Sequence, residues 1–206
     1  MGFYSSYIFP HFLDWTLNHP AVHRERRVAL AKAEGQTLEI GFGTGLNLPS
    51  YPETVTRLVA LDSEAMLPNR VAERIRQAKI PVEQIQFDAT RPLPFEDSTF
   101  DTVVTTFTLC SVSDVSSALA ELKRVLKDGG RYLFLEHGLS SNPAIARWQN
   151  RLNPIQRVVA CGCNLNRGID DLITRAGFRA EWLDRFVLPG VPEILGTSYR
   201  GGARKG

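Results

Sequence analysis

Three glycines alternate at Gly41, Gly43 and Gly45, with an acid two residues ahead at Glu39 and a short apolar run leading in from Thr37. Glycines spaced this way let the backbone turn tightly and lie against a ligand with no Cβ in the way. Between a strand and a helix they make a loop for a nucleotide-type cofactor. Two neighbours narrow the choice. Leu46 stands where the dinucleotide fingerprint needs its third glycine, and Leu46-Asn47 replaces the Lys and Ser/Thr of a P-loop. Glu39 would repel a diphosphate in a poorly screened site and attract an ammonium. The expected ligand carries an amino group and no phosphate. S-adenosylmethionine, an amino acid joined through a sulfonium to adenosine, meets both demands.

Further candidates follow at intervals. Asp62 lies about 20 residues past Gly41, where an acid accepts hydrogen bonds from ribose hydroxyls. A nicotinamide cofactor would use the same acid, so Asp62 does not discriminate. Ser63-Glu-Ala-Met66 is expected to open a helix, and Met66 could lay its thioether on a flat base or simply fill the core. Asp88 could accept from the exocyclic amine of adenine while the N–H of Ala89 donates to the ring. His137 is the candidate base, since a histidine's ordinary pKa suits proton removal near neutral pH. A histidine hydrogen-bonded in a loop is the plainer alternative. Cys161-Gly-Cys163 lacks a C-x-x-C or a histidine at zinc spacing, so no metal is expected and the pair reads as a loop turn. Cys110 reads as a small buried hydrophobe. Arg167, beside Asn164 and Asn166, could position an acceptor or cap a helix. His11, His19 and His23 are too loosely arranged to make a site.

These residues need a frame that gathers strand ends. Apolar runs predict strands at Thr37–Ile40, Arg57–Leu61, Val82–Phe87, Asp101–Phe107, Arg131–Glu136, Ala180–Val187 and Ile194–Arg200. Helices are expected over Glu64–Lys79, Val115–Leu126, Pro143–Leu152 and Gly168–Ala176, and from Pro20 to about Lys32. The alternation argues an α/β chain with a doubly wound parallel sheet, whose ligands bind at the carboxyl ends of its strands. The aromatic residues of about 4–18, interrupted by Pro10, suit a lid that lines an apolar acceptor pocket, touches a membrane surface or packs on the sheet. Arg24, Arg26 and Arg27, interleaved with Glu25, read as a solvated helix face. Arg200–Gly206 reads as a frayed strand end.

Together, Glu39-x-Gly-x-Gly-x-Gly45, Asp62 with Met66, Asp88, and Pro92-x-Pro-Phe-x-Asp-x-x-Phe-Asp101 resemble the class I S-adenosylmethionine-dependent methyltransferases (type 11 group). Leu126-Lys-Asp-Gly-Gly-Arg131 is similar to the helix–turn–strand before that family's fifth strand, and the likeness spans about Thr37 to Glu136. It implies a Rossmann-like seven-stranded sheet with an antiparallel last strand. It also implies that Glu39 binds the methionine amino group, Asp62 the ribose, and Asp88 with Ala89 the adenine. Gly41, Gly43, Gly45, Met66 and Thr106 complete the expected cofactor contacts. Leu109-Cys-Ser-Val112, Glu136-His137, Trp148-Gln149, Leu152-Asn-Pro154 and Gly162-Cys-Asn-Leu-Asn-Arg167 resemble the microsomal alkyl-thiol S-methyltransferases of animals and their bacterial relatives. The chain departs from the animal enzymes in having Cys161 where they have Asp, and no N-terminal hydrophobic anchor is visible. Leu46-Asn-Leu-Pro-Ser-Tyr-Pro52 is similar to bacterial phosphatidylethanolamine N-methyltransferases.

At 206 residues one domain is expected: a helical lid over 1–36, a cofactor core over 37–136, and acceptor-side helices and last strands over 137–206. A net charge of +2 gives no reason to expect nucleic acid. The odd count of three cysteines suits a reducing compartment, the cytoplasm. No run is long enough to span a membrane, though peripheral contact stays open. Met1–Ser6 matches the loose acylation pattern, which is too short to carry weight. The expected function is methyl transfer to a small apolar acceptor, a thiol first. The alternatives are a phospholipid headgroup or other small amine, or a silent cofactor-binding protein. Glu39 and Leu46 speak against a nicotinamide oxidoreductase.

Overall fold

The computed structural model describes residues 3–206; Met1 and Gly2, and with them the start of the acylation pattern, lie outside the described residues. Seven strands form one sheet: β1 (Gly35–Ile40), β2 (Val55–Asp62), β3 (Val82–Gln86), β4 (Phe100–Thr106), β5 (Leu126–His137), β6 (Phe178–Val187) and β7 (Thr197–Lys205). Their order is β3-β2-β1-β4-β5-β7-β6. β1 to β5 pair in parallel, and β7 runs antiparallel between β5 and β6. This is the doubly wound sheet with an antiparallel last strand that the sequence led us to expect. The helices are α1 (Phe9–Leu17), α2 (Pro20–Leu30), α3 (Pro68–Gln77), α4 (Val115–Val125), α5 (Pro143–Val159), α6 (Ile169–Arg175) and the short α7 (Glu193–Gly196).

Successive side chains of a strand point to opposite faces. Val59 and Leu61 of β2 therefore join Leu38, Ile40, Val103 and Phe134 in a core closed by Leu119 and Leu122 of α4 and Ile169 of α6. Leu58 and Ala60 join Val104 and Leu133 against Leu30 of α2 and Val71 of α3. Burial on both faces is why these strands read as unbroken apolar runs.

Several elements differ from expectation, each for a local reason. The chain between β1 and β2 contains only a 3-10 turn, Leu48–Ser50, and no α-helix. The N-terminal α2 packs on that sheet face instead. The helix after β2 starts at Pro68, behind a left-handed Leu67, so Met66 lies in the preceding loop. α5 runs through Pro154 to Val159, seven residues past the expected end. Ile194 belongs to α7, and the strand begins at Thr197. Its glycines are not a frayed end. A Cβ on Gly201 would sit 2.4 Å from the Phe134 ring, and one on Gly202 would sit 2.4 Å from the Trp182 indole nitrogen. Only glycine lets those rings lie on the middle of the sheet.

Pro10 occupies the first turn of α1, where its missing N–H costs nothing. Two aromatic side chains of that helix stay out of the core: Phe12 and Trp15 are exposed, Trp15 at 76%. Phe9 and Pro10 are buried, and with them the acid Asp14, at 2%.

Candidate active site

The carboxyl ends of β1, β2, β4 and β5 bring Glu39, Asp62, Thr106 and His137 to one edge of the sheet. The glycine loop turns there on three left-handed residues, Gly41, Gly43 and Gly45. Gly41 has a second constraint, because a Cβ would fall 2.0 Å from Thr108 Oγ1. That hydroxyl is held by the carbonyls of Ile40 and Thr106, each 3.1 Å away, and cannot give way cheaply. A Cβ on Gly43 would meet nothing closer than the Gly41 carbonyl at 4.0 Å, so this side of the loop is open to a ligand. No helix N-terminus follows the loop to hold a diphosphate. The acceptors Glu39 and Asp62 beside the loop suit an ammonium and hydroxyls and do not suit phosphate.

Glu39 is fully buried and accepts from Tyr51 Oη at 2.6 Å and Asn47 Nδ2 at 2.8 Å. Burial pushes its carboxyl up to about 7, while the Tyr51 and Asn47 hydrogen bonds and the charge of Arg26 pull it down. Arg26 comes from α2 and is only 3% exposed. Its Nη1 donates to Asn47 Oδ1 at 2.6 Å and Thr106 Oγ1 at 3.1 Å, and its guanidinium lies over the Phe107 ring. The solvated-face reading thus holds for Arg24 and Arg27 and fails for Arg26. Glu25 is buried too, paired with Arg200 of β7. Thr106 spends its hydroxyl on Arg26 and Asn47. Asn47 and Tyr51 were missed as site residues, though both sit in the Leu46–Pro52 run.

Asp62 accepts from the N–H of Gly43 at 2.7 Å and of Glu64 at 3.0 Å. Burial raises its pKa, and these backbone bonds oppose the rise. Each carboxylate oxygen keeps a lone pair free for a hydroxyl. Asp88 is exposed and accepts from Thr90 N and Oγ1 at 2.9 and 2.8 Å, which holds it low, while Ala89 beside it is buried. Asp101 stands at the far end of its strand. It accepts from Gln36 N at 2.8 Å and pairs with Lys127 at 2.7 Å, fixing the start of β1. A cavity of about 420 Å³ shares Gly45 and Leu46 with the loop and continues to His23, Arg27 and Arg74. Its walls include none of Asp62, Asp88 and His137.

On the other flank, Glu136 is buried, accepts the N–H of Thr108 at 2.9 Å, and is pushed up to about 7 by burial. His137 is 7% exposed, with Nδ1 3.6 Å from Cys163 Sγ and a buried Nε2 that has no hydrogen-bond partner among the described residues. Gln149 of α5 steadies the next loop, accepting from Ser140 N at 2.8 Å and donating to Gly138 O at 3.1 Å. Arg167 donates to the Leu109 carbonyl, tying two loops together. Among the described residues no group of histidine, cysteine or acid side chains could hold a metal ion.

Residues 38–134 match the methyltransferase domain family. The phosphatidylethanolamine N-methyltransferase of Cereibacter sphaeroides is 32% identical over 66% of this chain and 74% of its own length. The human thiol S-methyltransferase TMT1A is 31% identical over 82% of this chain and 70% of its own. The chain belongs to the class I S-adenosylmethionine-dependent methyltransferases. The fold agrees: an S-adenosylmethionine-dependent methyltransferase of Aquifex aeolicus superposes with a TM-score of 0.65 at 18% identity, over 96% of this chain and 98% of that one.

For this methyltransferase the Glu39 environment yields a first prediction. A carboxyl that titrates at about 7 keeps its proton in the folded protein below that pH, and a bound ammonium favours the ionised form. Cofactor affinity should therefore rise as pH climbs through about 7, until the cofactor's own amino group loses its proton at roughly 8. Glu39→Gln should weaken binding by roughly 1–3 kcal/mol, about 5-fold to 150-fold, and remove the rise. Calorimetric titration with S-adenosylmethionine at several pH values reads both, and unchanged affinity would take Glu39 out of that role.

Proposed function

We propose that this methyltransferase acts on a small apolar acceptor, and that the acceptor is a thiol. S-adenosylmethionine supplies a methyl group already activated on a sulfonium, so the protein's work is to align the acceptor, exclude water and take up a proton. The observation that carries the reading is the buried, unpartnered Nε2 of His137 at the carboxyl end of β5. A thiol of pKa about 8.5 can surrender its proton to an imidazole, whereas an ammonium of about 10.4 gives it up less readily. The match to a thiol S-methyltransferase across 82% of this chain, acceptor half included, supports the same choice. Glu39 is assigned to the cofactor's amino group, Asp62 to its ribose and Asp88 with Ala89 to its adenine, with Met66 near the base.

Residues 1–36 serve in this reading as a lid over the core at 37–136, with the acceptor side at 137–206. The hydrogen bonds that the loop's Thr44 gives to Asp14 of α1, and that Arg26 of α2 gives to Asn47, favour it. The three free cysteines suit a reducing compartment such as the cytoplasm. Among the described residues no helix is long and apolar enough to cross a membrane.

The likeness to a phosphatidylethanolamine N-methyltransferase supports the lipid amine as second reading. A turnover screen with an alkyl thiol, sulfide, a phospholipid amine and a quinone precursor separates the two. Methylation of the thiol is expected, and turnover of the lipid amine alone would overturn the thiol assignment.

A further inference from the structure

Cys110 and Cys163 meet at the acceptor flank although loops after β4 and after α5 carry them. Asn164 joins the two chains, donating both its backbone N–H and its Nδ2 to the Cys110 carbonyl at 2.8 Å. Cys163, the residue before Asn164, is thereby set beside Cys110, and a disulfide spans Cα atoms roughly 4.4–6.8 Å apart. Each thiol is the strongest influence on the other, and Cys163 Sγ also lies 3.6 Å from His137 Nδ1. Cys110 is 2% exposed and shielded, while Cys163 is half-buried. Contact with Cys110, and after it His137, holds the Cys163 thiol below the usual cysteine range. The same contact, with burial, pushes Cys110 up. One sulfur is therefore ready to act as a thiolate and its neighbour keeps a proton. Cys161 differs: it is exposed, sits in a left-handed turn, and burial raises its thiol.

We propose that Cys163 and Cys110 form a peroxide-reactive dithiol, with Cys163 attacking and Cys110 resolving, that closes to a disulfide beside His137. The Cys163 thiolate attacks one oxygen of a hydroperoxide and the O–O bond breaks. The departing alkoxide or hydroxide takes the proton that Cys163 gave up, which leaves a sulfenic acid on Cys163. The Cys110 sulfur then attacks that sulfur, the S–O bond breaks, and hydroxide leaves as water with the Cys110 proton. Two thiols and one peroxide become a disulfide, a water and an alcohol, or two waters for hydrogen peroxide. The bond would tie the loop after β4 to the loop before α6 and remove the sulfur partner of His137 Nδ1. Methyl transfer as proposed above needs neither thiol, so this site stands or falls independently of the acceptor.

The test is peptide mapping of the intact chain after a few-fold excess of hydrogen peroxide, with free thiols alkylated afterwards. Two thiols per chain should become unreactive, a Cys110–Cys163 linked peptide should appear, and dithiothreitol should reverse both. Cys163 should react at least about tenfold faster than Cys161. Cys161→Ser should change nothing, and Cys110→Ser should stop at a sulfenic acid on Cys163 that dimedone captures. Should Cys110→Ser fail to fold, the linked peptide from the unaltered chain decides alone. Preferential oxidation of Cys161, a Cys161–Cys163 link, or oxidised Cys163 beside a still alkylatable Cys110 would overturn the proposal.

Discussion

Replacing His137 with alanine is expected to lower kcat for a thiol acceptor by about a hundredfold or more at saturating cofactor, the usual contribution of a positioned base. The backbone at this position should hold. His137 pairs with Ser198 of β7, and Gly138 N donates to Thr197 O at 3.0 Å, so the strand end does not depend on the imidazole. What disappears is a proton acceptor whose Nε2 has no other hydrogen-bond partner among the described residues. The variant should therefore melt close to the parent and lose rate, and added imidazole should restore part of it. The pH profile is the sharper readout. A rate that depends on neutral imidazole falls as pH drops, and the variant should lose that acid limb. Glu39, pushed up to about 7 by burial, would imprint its own limb on cofactor affinity, which is why the cofactor must be saturating. A thiol partly ionised without help narrows the loss, so the comparison belongs on the acid side of neutrality. If rate and profile are both unaltered, His137 is a loop histidine and the proton leaves to solvent.

The sequence made the glycine loop and the acids at the strand ends legible because their information is local. Glu39, the glycines and Asp62 stand next to the strands that present them, and apolar runs reveal those strands. What escaped was whatever two distant segments build together. Arg26 looks solvated in a run of charges, and only packing of α2 on β5, β7 and the Leu48–Ser50 turn buries it beside Asn47 and Thr106. Gly201 and Gly202 suggest fraying until the rings of Phe134 and Trp182 are seen to lie on them. Cys110 and Cys163, 53 positions apart, became neighbours through one asparagine. The N-terminal segment misled most. Its aromatics left pocket lining, membrane contact and sheet packing open, and gave no sign that the acid Asp14 is buried along with Phe9 and Pro10.

That acid carries the prediction with the largest effect on stability. Asp14 accepts from Thr44 Oγ1 at 2.5 Å and Arg74 Nη1 at 2.6 Å, and also pairs with Arg70, so α1 is pinned to the glycine loop and to α3 through one carboxylate. Asp14→Ala strands the Arg74 guanidinium, whose side chain is only 18% exposed. Removing one partner of a buried ion pair costs about 3–5 kcal/mol, and the half-exposed Arg70 places this site near the low end. A chain of this size should then melt roughly 6–12 °C lower. The pH dependence has a definite sign. Burial pushes the Asp14 carboxyl up, but hydrogen bonds from Arg74 and Thr44 and the Arg74 charge outweigh it, leaving it below the ordinary aspartate value. A depressed acid contributes stability that is fully present above that ordinary value, about 3.9, and is lost as pH falls through the folded one. The gap between parent and variant should thus be wide near neutrality and close below about pH 4. Asp14→Asn, which keeps an acceptor for Thr44 without the charge, should fall between them. Because Thr44 belongs to the glycine loop, loosening α1 should also weaken cofactor binding, whereas a clip that only anchors α1 would lower the melting temperature and leave affinity untouched. Equal melting temperatures at neutral pH would mean that the pair merely breaks even with solvent, and that the N-terminal segment is held through α2 and Arg26.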